Sequence, residues 1–195
     1  MKDIQGKQVY LVCSGDLRES ANLSCWAAQS EMEALLSKAV EAEGWTVKRA
    51  HPYDEKKKHG FIDSQRMGIE VFKTMDPSIP VIVAESVWQY SHHVLAGLIT
   101  HQAPILVAAN WSGQFPGLVG ALNLTGSLTK ANVKYSAIWS EDFSDDFFKK
   151  GLREWLTTGN ITHDGSHVKS LSQIKLPSGE EAQGRAFGKQ LKENK

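Results

Sequence analysis

The 195-residue chain has only two cysteines, Cys13 and Cys25. They form no disulfide framework and no CxxC motif. It also lacks any apolar run near the roughly 20 residues that span a bilayer. The first apolar stretch, Val9 to Cys13, is short and has acidic residues on both sides, which does not read as a signal peptide. Charge of one sign is missing too: 22 Lys plus Arg balance 22 Asp plus Glu, without a basic cluster. Neutralising phosphates needs clustered Lys and Arg, so nucleic acid is not the expected partner. Neither GxxxxGK[ST] nor a GxGxxG after the first strand is found, which argues against a nucleoside triphosphatase and weakens a dinucleotide reading. With no leader and no membrane span, the expected location is cytoplasmic. The four Asn-x-Ser/Thr triplets, at Asn22, Asn110, Asn123 and Asn160, are then expected to be chance occurrences.

What remains is an ordinary globular composition, 41% hydrophobic and 23% charged, arranged as alternating strands and helices. Gln8 to Ser14 is an apolar run closed by Gly15-Asp16, the pattern of a buried first strand. Leu23, Trp26, Ala27, Met32, Leu35, Leu36, Ala39 and Val40 then recur at helical spacing, with Gly44 at the expected stop. Trp45 to His51 alternates polar and apolar, as a strand near a sheet edge does. Ile62 to Met75 predicts a helix, Val81 to Ala84 a third strand, and Ser91 to His101 a third helix. Ile105 to Ala109 and Val133 to Trp139 supply two more strands around a helix marked by Phe115, Leu118, Val119 and Leu122. Phe147, Phe148, Leu152, Trp155 and Leu156 predict the inner face of a helix over Phe143 to Thr157.

Five such alternations with short connections predict an α/β fold: a doubly wound, flavodoxin-like parallel five-stranded sheet with helices on both faces. The edge-like second strand favours the order 2-1-3-4-5, which makes the first and third strands neighbours at the switch point where ligands bind. The domain is expected over residues 1–159. Residues 160–195 read as a linker and a helix opened by a Ser178…Glu181 capping box, leading toward a further domain, so that the chain is expected to be a fragment.

Candidate chemistry gathers at the strand ends. Arg18 follows the first strand in Asp16-Leu-Arg-Glu-Ser20, where its fork of donors either grips a hydroxyl or carboxylate or pairs with Asp16 or Glu19. Trp88, with Gln89 and Tyr90, follows the third strand; an indole there either stacks on a sugar or a nucleotide or packs in the core. Asn110 and Trp111 end the fourth strand and form a possible wall of the same pocket. Lys56, Lys57 and Lys58 read as a solvated turn. The adjacent His92 and His93 point about 100° apart on a helix, which suits no single metal ion. Structural or surface roles are expected for all seven histidines, and Cys13 is expected to be a small buried hydrophobe.

Three blocks, Asp16-Leu-Arg-Glu-Ser20, Glu85-Ser-Val-Trp-Gln-Tyr90 and Ala109-Asn-Trp-Ser-Gly-Gln-Phe-Pro-Gly-Leu-Val-Gly120, resemble in order and spacing the amino-terminal region of the L-fucose isomerase family. The resemblance implies a three-domain aldose–ketose isomerase that works through an enediol with a divalent metal, commonly Mn²⁺. It implies that the metal ligands and the catalytic acid/base groups lie in later domains, so this chain carries no catalytic residue and no metal site. It implies a homo-oligomer, a hexamer in the full-length family, in which Arg18 and Trp88 bind a small sugar in a neighbouring subunit's active site. The Asn110–Trp111 block then becomes the wall that shapes the crevice. The alternative is a free-standing flavodoxin-like module that binds a small polar ligand, or serves assembly, without catalysis.

Overall fold

The computed structural model describes residues 7–87, 90–111, 116–170 and 179–193. Two compact units are present, the first ending at Ile161 and the second beginning at Thr162. In the first unit strands and helices alternate as β1 (Gln8–Val12), α1 (Glu19–Ala42), β2 (Thr46–Arg49), α2 (Gln65–Thr74), β3 (Val81–Glu85), α3 (His92–Thr100), β4 (Ile105–Asn110), α4 (Leu118–Lys130), β5 (Ser136–Ser140) and α5 (Asp146–Thr158). All five strands are parallel, in the order β2-β1-β3-β4-β5. This is the expected doubly wound, flavodoxin-like arrangement, with the alternating strand at the edge.

The strand sequences explain the layering. Every residue of β3 is buried, whereas β2 alternates between exposed and half-buried positions. A strand covered on both faces must be apolar throughout; an edge strand need not be. Val9, Leu11, Ile82, Ala84, Leu106, Ala108 and Ile138 pack on one face against Met32, Leu36 and Val40 of α1 and Phe148, Leu152, Trp155 and Leu156 of α5. Tyr10, Val12, Val81, Val83, Val107 and Ala109 pack on the other against α2, α3 and α4.

Several expected positions move. Ile62 is not helical: α2 begins at Gln65, capped by the Ser64 hydroxyl, which accepts from the Met67 N–H at 3.2 Å. Ile62 is instead extended and bridges in parallel to Ser14. β2 stops at Arg49, so the carboxyl end of β1 needs a new neighbour. Ile62 provides it, donating to the Cys13 carbonyl at 3.0 Å and accepting from the Gly15 N–H at 2.8 Å. On α4 the apolar stripe is rotated: Ala121, Leu124 and Leu128 face the sheet, while Val119 and Leu122 are exposed. Phe147 of α5 is likewise exposed, one position off the buried Phe148. On α1, Leu23 and Ala27 face outward, and the buried positions of its first half are polar.

Helices α2 and α3 approach closely because Gly68 has no side chain; a Cβ there would overlap the His93 carbonyl oxygen. Gly68→Ala is therefore expected to push α2 off α3 and cost about 1–3 kcal/mol, as overpacking does. An unchanged urea midpoint for this variant would mean that the helices part without cost.

In the second unit, α6 (Glu180–Glu193) buries none of its residues, and Phe187 and Leu191 are exposed. An Arg185–Glu181 pair one turn apart supports it. Ser178 of the expected capping box lies outside the described residues, as do Phe115, Trp88 and Gln89.

Candidate functional site

The strand order brings the loops after β1 and β3 together, and they touch. The Ser14 hydroxyl donates to the Tyr90 carbonyl at 2.6 Å, and the Tyr90 N–H donates to the Gly15 carbonyl at 3.2 Å. Gly15 is required here: a Cβ would press into the Phe61 side chain and the Asn22 amide. Asn22, buried on α1, clamps the loop from behind. Its Oδ1 accepts from the Asp16 N–H at 2.7 Å, and its Nδ2 donates to the Asp16 carbonyl at 2.9 Å.

The clamped loop presents Asp16 and Arg18. The Asp16 carboxylate is nearly buried and accepts from the Arg18 backbone N–H (2.8 Å), Nε (3.0 Å) and Nη2 (2.8 Å). Arg18 thereby holds this carboxyl below the usual carboxylate range, despite the opposing effect of burial. Of the readings open to Arg18, the pair with Asp16 is the one formed. It does not use up the guanidinium. Two of its five donors face Asp16, and the side chain remains 70% exposed. A planar fork fixed along one edge keeps its other edge pre-oriented for a ligand.

Across the crevice Tyr90 is half-buried, its ring edge-on to His92 (5.0 Å between centroids) and tilted on His93 (5.7 Å). Trp88 and Gln89 lie outside the described residues. His93 is buried, its Nδ1 is 3.1 Å from the Ile62 carbonyl, and its Nε2 has no partner. Burial, then the neighbouring His92, lowers its pKa, so the ring is neutral. On the far side, Asn110 Oδ1 accepts from the Gly117 N–H at 3.0 Å, joining the end of β4 to the start of α4. Gly117 lies against the Glu85 carbonyl, where a Cβ would not fit. The Trp111 N–H donates to the Ser140 carbonyl at 3.2 Å while its side chain is half exposed. Asn110 thus ties the end of β4 to Gly117, and the Trp111 side chain is open to solvent.

A buried polar network behind this crevice was not expected from the sequence. Gln29 spans the β3 end: Nε2 donates to the Ala84 carbonyl (3.0 Å) and to Glu33 (3.0 Å), and Oε1 accepts from the Ser86 N–H (3.2 Å) and hydroxyl (2.8 Å). Glu33 in turn accepts from Arg49 Nε at 2.7 Å and Nη2 at 3.2 Å. Arg49 also donates to the Gly60 carbonyl at 2.6 Å, reaches Cys13 Sγ at 3.1 Å and lies over the Trp26 ring. Cys13 is buried as expected but in polar company, and burial, followed by the Glu33 charge, pushes its thiol well up, so it is no nucleophile. His51 accepts from the Cys13 N–H at 3.3 Å; burial and then the Arg49 charge press its pKa down to about 3. The signal was present in the spacing. Asn22, Gln29 and Glu33 share a helical face with Leu36 and Val40, and an apolar-only stripe search passes over them.

Glu85 closes β3 with a fully buried carboxyl whose Oε2 has no partner, and desolvation raises its pKa well above the usual value. Burial thus favours its protonated, neutral form. Among the described residues no cluster of three His, Cys, Asp or Glu side chains could hold a metal ion. What the joined loops present is the exposed edge of the Arg18 guanidinium, held in place by Asp16. Among the described residues no helix is long and apolar enough to cross a membrane. No protein-family model matches the chain, and no curated protein matches it.

Proposed function

We propose that this chain is the substrate-lining and oligomerising domain of an aldose–ketose isomerase of the fucose/arabinose type, contributing Arg18 and Trp88 to the sugar site of a neighbouring subunit. The observation that carries the reading is the joined pair of loops at the β1/β3 switch point. Their backbones are hydrogen-bonded to each other, and between them Asp16 holds an exposed guanidinium in one orientation. Such a fork donates to neighbouring hydroxyls of a polyol without needing a negative charge on the ligand. Trp88 would add the flat apolar face on which the C–H side of a sugar stacks. Enediol chemistry needs a metal or a matched acid and base, and this reading assigns them to other domains. The role of these residues is to bind and orient.

The test is a titration of the full chain with L-fucose and D-arabinose, followed by calorimetry or by amide resonances. Arg18→Ala is expected to weaken binding about tenfold or more, because it removes charge-assisted hydrogen bonds. The change strands the nearly buried Asp16 carboxylate, so the double variant Asp16→Asn, Arg18→Ala, which removes that charge, is measured alongside it. Equal affinity in Arg18→Ala and wild type, or no resonance shift with any aldose or ketose, would sink the reading.

A further inference from the structure

His93 begins with an imbalance. Its Nδ1 is 3.1 Å from the Ile62 carbonyl oxygen, and a carbonyl can only accept, so the ring proton sits on Nδ1. The ring is neutral, which leaves Nε2 a bare lone pair. That atom is buried and has no partner, whereas buried polar atoms nearly always find one. A backbone-anchored Nδ1–H is also the arrangement that fixes an imidazole's orientation when its other nitrogen has a task.

Its location gives the lone pair a context. His93 lies in the first turn of α3, three residues past Tyr90, and the Tyr90 backbone is bonded to Ser14 and Gly15 of the loop that carries Arg18. The Ile62 segment that anchors its Nδ1 is the one bridged to Ser14. The rings of Tyr90 and His92 pack against it. The ionised Asp16 is close enough for the two groups to influence each other's charge. That carboxylate makes an anionic ligand unwelcome beside Nε2, and an ionised carboxylate or phosphate oxygen has no proton to donate to it. A hydroxyl group does, and can accept from Arg18 at the same time.

We propose that His93 Nε2 is the hydrogen-bond acceptor of the crevice, taking a hydroxyl proton of the bound sugar while Arg18 donates to an oxygen of the same molecule. This rests on the sugar-binding reading above and gives it a second, chemically opposite contact. Donor and acceptor set on the two sides of one crevice select a neutral polyol by its hydroxyl pattern.

The experiment uses the full ¹⁵N-labelled chain and L-fucose. Saturating the wild type is expected to move the His93 Nε2 resonance upfield by several ppm while Nδ1 stays in place. His93→Phe is expected to bind about tenfold more weakly, the loss of roughly one hydrogen bond. His93→Gln, whose amide oxygen can reach the Nε2 position, is expected to stay within about threefold of wild type on the same hydrogen-bond count. A role confined to the Ile62 bond would change stability and leave Nε2 unmoved by the sugar. If Nε2 is unmoved at saturation while Arg18→Ala still weakens binding, this inference falls and the proposed function stands. If the wild type binds neither L-fucose nor D-arabinose, both fall together. The resonance is read in the wild type, so the result does not depend on either variant folding.

Discussion

Glu85→Gln is expected to stabilise the protein increasingly as pH rises. Glu85 ends a central strand, its Oε2 is buried without a partner, and desolvation alone raises its pKa well above 4.5. The folded state therefore keeps a proton that the unfolded chain releases near pH 4.5. The stability associated with this proton is fully present below that pH and is lost as the pH climbs through the raised value. The slope is about 1.4 kcal/mol per pH unit for one proton wherever the pH lies between the unfolded and the raised folded value. Glutamine keeps the shape and cannot ionise. Other titrating groups affect both proteins alike and cancel in the difference. Urea unfolding of both proteins at pH 5, 6, 7 and 8 measures it. A difference that does not vary with pH would show that Glu85 ionises in the folded state as freely as in the unfolded one.

Arg49→Met is expected to be the most damaging single change to the scaffold behind the crevice. Removing the guanidinium strands the nearly buried Glu33 carboxylate and takes the donor from the Gly60 carbonyl and the Cys13 sulfur. Breaking one partner of a buried pair costs about 3–5 kcal/mol, because the remaining charge is left without compensation. Part of the Arg49 side chain reaches solvent, so the lower end of that range applies. The double variant Arg49→Met, Glu33→Gln should recover part of the loss, since the stranded charge is gone. Additive losses in the double variant would show that the pair is not the origin of the effect. The damage should also reach the crevice. Gly60 leads directly into Phe61 and Ile62, which back Gly15 and anchor His93. If the chain binds a sugar as proposed, Arg49→Met is therefore expected to weaken that binding although it lies outside the proposed site.

The same residues mark how far the sequence could be read. The architecture was legible because burial writes itself into local patterns. The unbroken apolar run of β3 and the alternation of Trp45 to His51 were enough to separate a central strand from an edge strand, and with them the order β2-β1-β3-β4-β5. Asp16 and Arg18 were legible for a similar reason: they are near neighbours in sequence, so the pair was among the few geometries available. Finer placement failed where one pattern served two faces. On α4, Val119 and Leu122 fit the spacing as well as Leu124 and Leu128, and only packing on the sheet chose between them.

By itself the sequence determined a parallel, doubly wound sheet and the loops that meet at its switch point, because strand and helix periodicity is set by residues a few positions apart. The tertiary structure alone decided which polar groups turn inward and what they touch. Gln29 meets Ala84 and Ser86 across more than fifty residues, and Arg49 meets Cys13 across 36. Ile62 left its expected helix because a strand elsewhere stopped early and β1 needed a partner. His93 read as one of seven ordinary histidines until that same Ile62 carbonyl fixed its proton on one nitrogen and left the other bare. A local pattern records that a residue is buried. The partner that satisfies a buried polar atom, or leaves it without one, comes from distant chain, and only the fold brings it there.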